Sequence, residues 1–207
     1  MSKKIRDYMD LYIAKDILGK SESGEKIAID EYNDNKKLDP ILLDNKILIY
    51  ERQVNGWFLN CAKKLNDESE DNDFVVLMIC MSYIEGVIQY KRGKSSDGKS
   101  REMFIKSIKN IYPNINFTND DLKRLYSQSR CGLFHNGMVS SDIILKNDFQ
   151  KAIEINNVTI SGSDDIKINP KMLLADIINH FNQYILELKN YNNLDLRNNF
   201  DTMYSVI

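Results

Sequence analysis

The sequence predicts a mainly α-helical bundle with a small antiparallel β-hairpin insert near residues 142–168. Three observations carry this. Apolar residues recur at helical spacing through 44–138 and again through 170–190; Pro40, Pro113 and Pro170 punctuate those runs; and between 139 and 169 the apolar period shortens to two. A chain of 207 residues that is 43% hydrophobic buries enough surface for one domain with a sizeable core, so a single domain is expected over 1–207.

In chain order, Ile5, Tyr8, Met9, Tyr12, Ile13 and Ile17 predict a first helix over 5–18. The polar loop GKSESGEK follows, making 1–43 an N-terminal helix and loop. After Pro40, Ile47, Tyr50, Val54, Trp57, Phe58, Cys61 and Leu65 mark the next helix, with Trp57 as its expected core anchor. The acidic run NDESEDND leads into FVVLMICMSYIEGVIQYKR, residues 74–92, apolar nearly all round in its first half and too long for one strand. A buried central helix is expected there. Phe104, Ile105, Ile108 and Ile111 mark a helix stopped by Pro113, and Asn119 with two aspartates opens the one that carries Leu122, Leu125 and Tyr126 toward Arg130. The core helices thus occupy 44–138.

Beyond Val139 the pattern changes. Ile143 and Leu145 alternate with polar positions, and KAIEI-NN-VTIS reads as two β-prone runs joined by Asn156–Asn157, giving a β insert over 139–169. Leu173, Leu174, Ile177, Ile178, Phe181, Tyr184, Ile185 and Leu188 restore the helical period over 170–190, and the closing segment is an extension or a short helix.

A net charge of −2, from 28 basic and 30 acidic residues, excludes a global field that would attract nucleic acid or an anionic membrane. Any such binding must be local. Cys61, Cys80 and Cys131 are odd in number and widely spaced, which suggests neither a disulfide framework nor a zinc site, and no metal or other cofactor is expected. They read as small core or near-core residues. The charged N-terminus lacks a signal-peptide core and no long uncharged apolar run follows, so a cytoplasmic protein without membrane attachment is expected.

GKSSDGKS fits the phosphate-cradling pattern G-x-x-x-x-G-K-[ST] at Gly93, Gly98, Lys99 and Ser100. A working P-loop is entered from a hydrophobic strand, whereas Gln89, Tyr90, Lys91 and Arg92 end an expected helix. A basic helix connection is the simpler reading. The richer stretch is SRCGLFHNGM, residues 129–138, where Arg130 and His135 have four residues between them. Cleavage of RNA by its own 2′-hydroxyl needs a base of near-neutral pKa, an acid for the leaving 5′-oxygen and positive charge on the phosphorane. Histidine supplies the proton transfers, and arginine the permanent charge in a fork that fits phosphate. Five residues of ideal α-helix turn about 140°, so the two share a face only if the helix is distorted, as Gly132 between them would allow.

The spacing resembles the R-x4-6-H motif of the HEPN superfamily, small all-α domains many of which are metal-independent ribonucleases of toxin–antitoxin, abortive-infection and CRISPR-linked bacterial defence systems. The resemblance covers about 44–138 and 170–190. It implies a HEPN-like helical bundle, a homodimer pairing two motifs across an RNA cleft, Arg130 and His135 as catalytic residues, and an antitoxin or other protein partner. It departs at Cys131, where the family usually carries a polar residue, and at Gly137, where members modified by AMP transfer carry Tyr; Asn136 could supply the polar contact. The alternative is a catalytically inactive HEPN-like module that binds RNA or a protein.

Glu85 sits among Met81, Ile84 and Ile88 and needs a cation if buried; Arg130 is the candidate, against a capping or surface role. Lys91, Arg92, Lys94, Lys99 and Arg101 form a local basic stretch that either contacts RNA phosphates or is a solvated loop. His180, at the flank of the last helix stripe, is expected to be structural.

Overall fold

The computed structural model describes residues 3–156 and 164–207, and the side chains of His135 and Asn136 lie outside that description. Among the described residues the fold is mixed α/β, with 55% helix, 14% strand and two sheets, which corrects the expected mainly α bundle with one hairpin. The chain divides into two compact units. A sheet unit comprises Met1–Cys61, Tyr90–Lys94 and Asn182–Ile207; a motif unit comprises Ala62–Gln89 and Ser95–Phe181.

The sheet unit accounts for the correction. In place of a helix over 5–18 it has an antiparallel meander of β1 (Leu11–Ala14), β2 (Ile17–Glu22), β3 (Glu25–Asp30) and β4 (Lys36–Leu38), in sequential order. Ile5, Met9, Ile13 and Ile17 are four apart, a spacing that satisfies a helical stripe and a strand's period of two equally. The turns decide between them. β2 and β3 pair from Ile17↔Asp30 to Glu22↔Glu25, leaving Ser23 (φ 53) and Gly24 (φ 87) as a two-residue turn with both φ positive. GKSESGEK is therefore a hairpin. Asp16 (φ 58), Asp34 (φ 53) and Asn35 (φ 57) adopt the same left-handed region, which short polar side chains tolerate best after glycine.

Ile13, Ala14, Ile17, Ala28 and Leu38 are buried beneath α1 (Leu43–Val54), which buries Ile47, Ile49, Tyr50 and Gln53. Gln53 binds the unit together: its Nε2 donates to the Ile13 carbonyl (2.5 Å), and its Oε1 accepts from the Tyr204 hydroxyl (2.8 Å). Rings of Tyr50, Tyr90, Phe200 and Tyr204 cluster at centroid distances of 5.0–6.2 Å. After α1 the chain widens into a π-helical turn, Asn55–Leu59, before α2 (Asn60–Glu68). Trp57 on that turn is only half-buried and Cys61 is exposed, so neither is the core residue expected.

The motif unit follows the sequence reading more closely. Helix α3 (Asp73–Arg92) is the central helix, with Val76, Leu77, Cys80, Met81 and Ile84 fully buried. By length and composition Glu70–Arg92 would also suffice to cross a bilayer, and 44% of its apolar window is buried inside the protein. Helix α4 (Ser100–Ile111) buries Phe104 and Ile108; α5 (Asn119–Leu125) buries Leu122 and Leu125. Strands β5 (Ile143–Leu145), β6 (Ile153–Ile155) and β7 (Ile166–Ile168) form a mixed sheet in the order β5-β7-β6, parallel between β5 and β7 and antiparallel between β6 and β7. The insert is thus not a simple antiparallel hairpin, and the expected strand VTIS lies outside the described residues. Helix α6 (Pro170–Lys189) begins with Asn169, whose Oδ1 accepts from the Met172 amide, and with Pro170 where the missing N–H costs nothing. The last segment, which belongs to the sheet unit, is a helix, α7 (Leu194–Met203).

A Cβ at position 24 would meet nothing within 4 Å, so only backbone strain opposes a side chain there. Gly24→Val should lower the unfolding free energy by about 1–2 kcal/mol, the cost of a left-handed non-glycine residue. Urea denaturation measures it, and an unchanged midpoint would show that the turn is not held at positive φ.

Candidate functional site

The motif stands on a helix of unusual geometry. Thr118 caps α5 in a reciprocal box, its Oγ1 accepting from the Asp121 amide (3.1 Å) while Asp121 Oδ2 accepts from the Thr118 amide (2.9 Å). From Tyr126 to Asn136 the helix is π-helical, and Gly137 (φ 72) ends it. Closure from i to i+5 leaves positions five apart only a fraction of a turn past alignment, so the backbone brings positions 130 and 135 to one face. An ideal α-helix would hold them about 140° apart.

Two local features accompany the widening. Ser129, fully buried, turns its hydroxyl back to the Leu125 carbonyl (2.5 Å), a bond that competes with the helical ladder. Gly132 lets the following chain fold back across the helix. A Cβ there would lie 2.7 Å from the Met138 carbonyl oxygen and 3.3 Å from Val139 Cα, and the Ser140 amide donates to the Gln128 carbonyl (3.1 Å). The glycine noted in the sequence thus permits the distortion the motif needs.

Arg130 is held from α3. Its Nε donates to Glu85 Oε2 (2.5 Å) and its Nη2 to Oε1 (3.2 Å), a two-pronged ion pair whose side chains are only 20% and 16% exposed. This is the pairing expected for Glu85. The guanidinium carbon also lies 4.9 Å from the Phe134 ring and 5.8 Å from the Tyr126 ring. Burial pulls the guanidinium pKa down, but the hydrogen bonds and charge of Glu85 outweigh it, so the net movement is upward and the arginine stays charged. Burial, with the Cys131 thiol adding, raises the Tyr126 phenol against the opposing pull of Arg130. Beside the pair lies a cavity of about 240 Å³ lined by Ser82, Glu85, Gly86, Gln89, Arg130 and Phe134, with Phe134 43% exposed at its edge.

Cys131 is half-buried next to the arginine, and the side chains of His135 and Asn136 lie outside the described residues. Tyr126 and Phe134 did not stand out as site residues in the sequence. Their signal was present, an aromatic four residues before Arg130 and another four after it. His180 has the structural setting expected, Nδ1 2.7 Å from the Tyr83 hydroxyl and Nε2 3.0 Å from Asn110 Oδ1.

The basic stretch divides. Lys91, Arg92 and Lys94 belong to the sheet unit, where Lys91 is largely buried, 3.9 Å from Glu187 and over the Tyr184 ring; burial draws its pKa down. Lys99 and Arg101 belong to the motif unit and are exposed. Gly93 is entered from α3 and not from a strand, so GKSSDGKS lacks the approach that phosphate cradling requires. Among the described residues no three His, Cys, Asp or Glu side chains gather into a metal-ligand cluster.

No protein-family model, curated protein or solved structure matches the chain.

Glu85→Gln keeps the shape of the side chain but leaves a mostly buried guanidinium without its counter-charge. It should cost about 2 kcal/mol, within the range for a hydrogen bond to a charged group. In a double-mutant cycle with Arg130→Met, measured by chemical denaturation, the coupling should be about 1–3 kcal/mol. Coupling near zero would show that Glu85 does not set the arginine.

Proposed function

We propose that this protein is a metal-independent endoribonuclease that acts as a homodimer through Arg130 and His135, of a toxin–antitoxin, abortive-infection or RNA-processing kind. The motif's resemblance to the HEPN superfamily suggests this chemistry, while the mixed α/β fold lends the bundle architecture no support. One observation carries the reading: the π-helical turn puts positions 130 and 135 on one face, where Glu85 already fixes the arginine.

In that chemistry the neutral imidazole of His135 takes the 2′-hydroxyl proton as the oxygen attacks phosphorus. The P–O5′ bond then breaks, and the leaving oxygen takes a proton from an imidazolium. One imidazole per chain cannot hold both protonation states at once. A two-fold dimer supplies base and acid together and leaves a 2′,3′-cyclic phosphate and a 5′-hydroxyl. Arg130 places positive charge against the phosphorane oxygens. Glu85 occupies the Nε side of the fork, so the guanidinium is oriented before substrate arrives.

A second reading is favoured by the same pair. A carboxylate that already neutralises Arg130 suits an inactive module binding RNA or a protein such as an antitoxin, and Cys131 beside the arginine offers no strong polar contact.

Cleavage of a labelled single-stranded RNA in EDTA separates the readings. The native protein should cut, and His135→Ala should lose on the order of 10²–10⁴ in rate, the range for positioned acid–base catalysis. Arg130→Ala should lose a comparable factor, and Arg130→Lys should recover only part of it because the planar fork is gone. Folded native protein that cuts none of several RNAs would refute the nuclease reading.

A further inference from the structure

The second half of GKSSDGKS has a setting of its own. Gly98, Lys99, Ser100 and Arg101, with Lys123 and Tyr126 from α5 and the turn after it, line a cavity of about 620 Å³ in the motif unit. Among the described residues neither Lys99 nor Arg101 has a carboxylate partner. Lys123 is paired with Asp120 at 2.8 Å, and Glu102, which also lines the cavity, is paired with Lys106, so Lys99 and Arg101 leave the remaining charge positive. The Arg101 and Arg130 guanidinium carbons each lie 5.8 Å from the centroid of the same Tyr126 ring, so they stand no more than twice that distance apart.

We infer that this cavity is a phosphate subsite for single-stranded RNA, receiving a phosphodiester neighbouring the one held at Arg130. The inference rests on the reading of Arg130 as the centre of an RNA site. A concave pocket of this volume accepts a nucleotide of a splayed strand, whereas duplex RNA is recognised across its grooves by extended surfaces. Lys99 and Arg101 supply charge along the backbone, and Tyr126 supplies an aromatic wall between the two phosphate positions. A bound strand would run from Arg130 past Tyr126 into the cavity. The phosphate chemistry could equally come from a free nucleotide, so the test includes both sources.

The experiment measures binding of the native protein to a fluorescent 12-nucleotide single strand carrying 2′-O-methyl groups, which cannot be cleaved, over a series of salt concentrations. Lys99→Gln/Arg101→Gln should weaken binding roughly tenfold at 0.1 M salt and reduce the slope of log affinity against log salt by ~1.4, about 0.7 for each phosphate left without its cation. Lys36→Gln/Lys37→Gln, exposed in the sheet unit, removes equal charge elsewhere and should change neither. Millimolar ATP should not displace the strand. An unchanged slope in the cavity variant, an equal change in the control, or displacement by ATP that depends on Lys99 and Arg101 would each overturn the inference. Arg130→Met distinguishes the two levels. If it weakens binding while the cavity variant does not, the cavity proposal fails and the RNA site at Arg130 stands; the reverse pattern sustains the cavity and removes Arg130 from the RNA site. Circular dichroism of each variant confirms folding, since all four substituted lysine and arginine positions in the two double variants are exposed.

Discussion

A carboxylate on an apolar helix has to find a cation, and at Glu85 this requirement ties the motif unit together. Glu85 sits one turn from the buried Met81 and Ile88 and next to the fully buried Ile84. An ionised carboxylate left there alone would cost several kcal/mol, more than one fully buried leucine contributes. Arg130 answers it with two hydrogen bonds from a different helix, which fixes how α3 and the π-helical turn face each other within the unit. The aromatic rings on either side of the arginine then shield the pair from water and strengthen it.

The π-helical turn is the second condition. Widening a helix sacrifices ladder hydrogen bonds, and it persists only where surrounding packing compensates. Here the buried Ser129 hydroxyl occupies a carbonyl of the preceding turn, and the strand-bound chain after Gly137 crosses Gly132 at a distance no side chain would permit. The parallel β5–β7 pairing anchors that returning chain, with the Ile166 amide donating to the Asp142 carbonyl. The insert is therefore part of what holds the motif helix open, rather than an ornament on a bundle.

The central helix was legible from an apolar run too long for one strand, while helical periodicity marked the helices at 100–111 and 119–125 and the last long helix. It failed over 5–18, where residues four apart satisfy strand and helix alike and the deciding information lay in turn chemistry. Ser23–Gly24, two residues flanked by alternating positions, was the available signal. The Glu85–Arg130 pair could be reasoned from the cost of burial alone. Tyr126 and Phe134 were harder to see, since aromatic residues at helical spacing usually mean core, and Phe134 is in fact half-exposed over the arginine. The parallel pairing in the small sheet could not be inferred, since a three-residue strand carries no directional signature.

GKSSDGKS shows how a motif can mislead as a unit and still inform in part. Its first glycine packs against Asn199 in the sheet unit, where a Cβ would meet the Asn199 side-chain oxygen at 2.8 Å, while Gly98, Lys99 and Ser100 line the cavity of the motif unit. Phosphate cradling in a P-loop comes from consecutive backbone N–H groups converging on one anion, and that needs the strand-to-helix turn that is missing here. What survives without that turn is side-chain charge: two cations with no acidic partner among the described residues, beside a tyrosine. On the proposed reading such a surface would act through charges spread along a strand, so its binding would be tuned by salt and by the number of phosphates rather than by the identity of one nucleotide. That difference in physics separates a nucleotide pocket from a strand-binding face, although both can be written with the same eight letters.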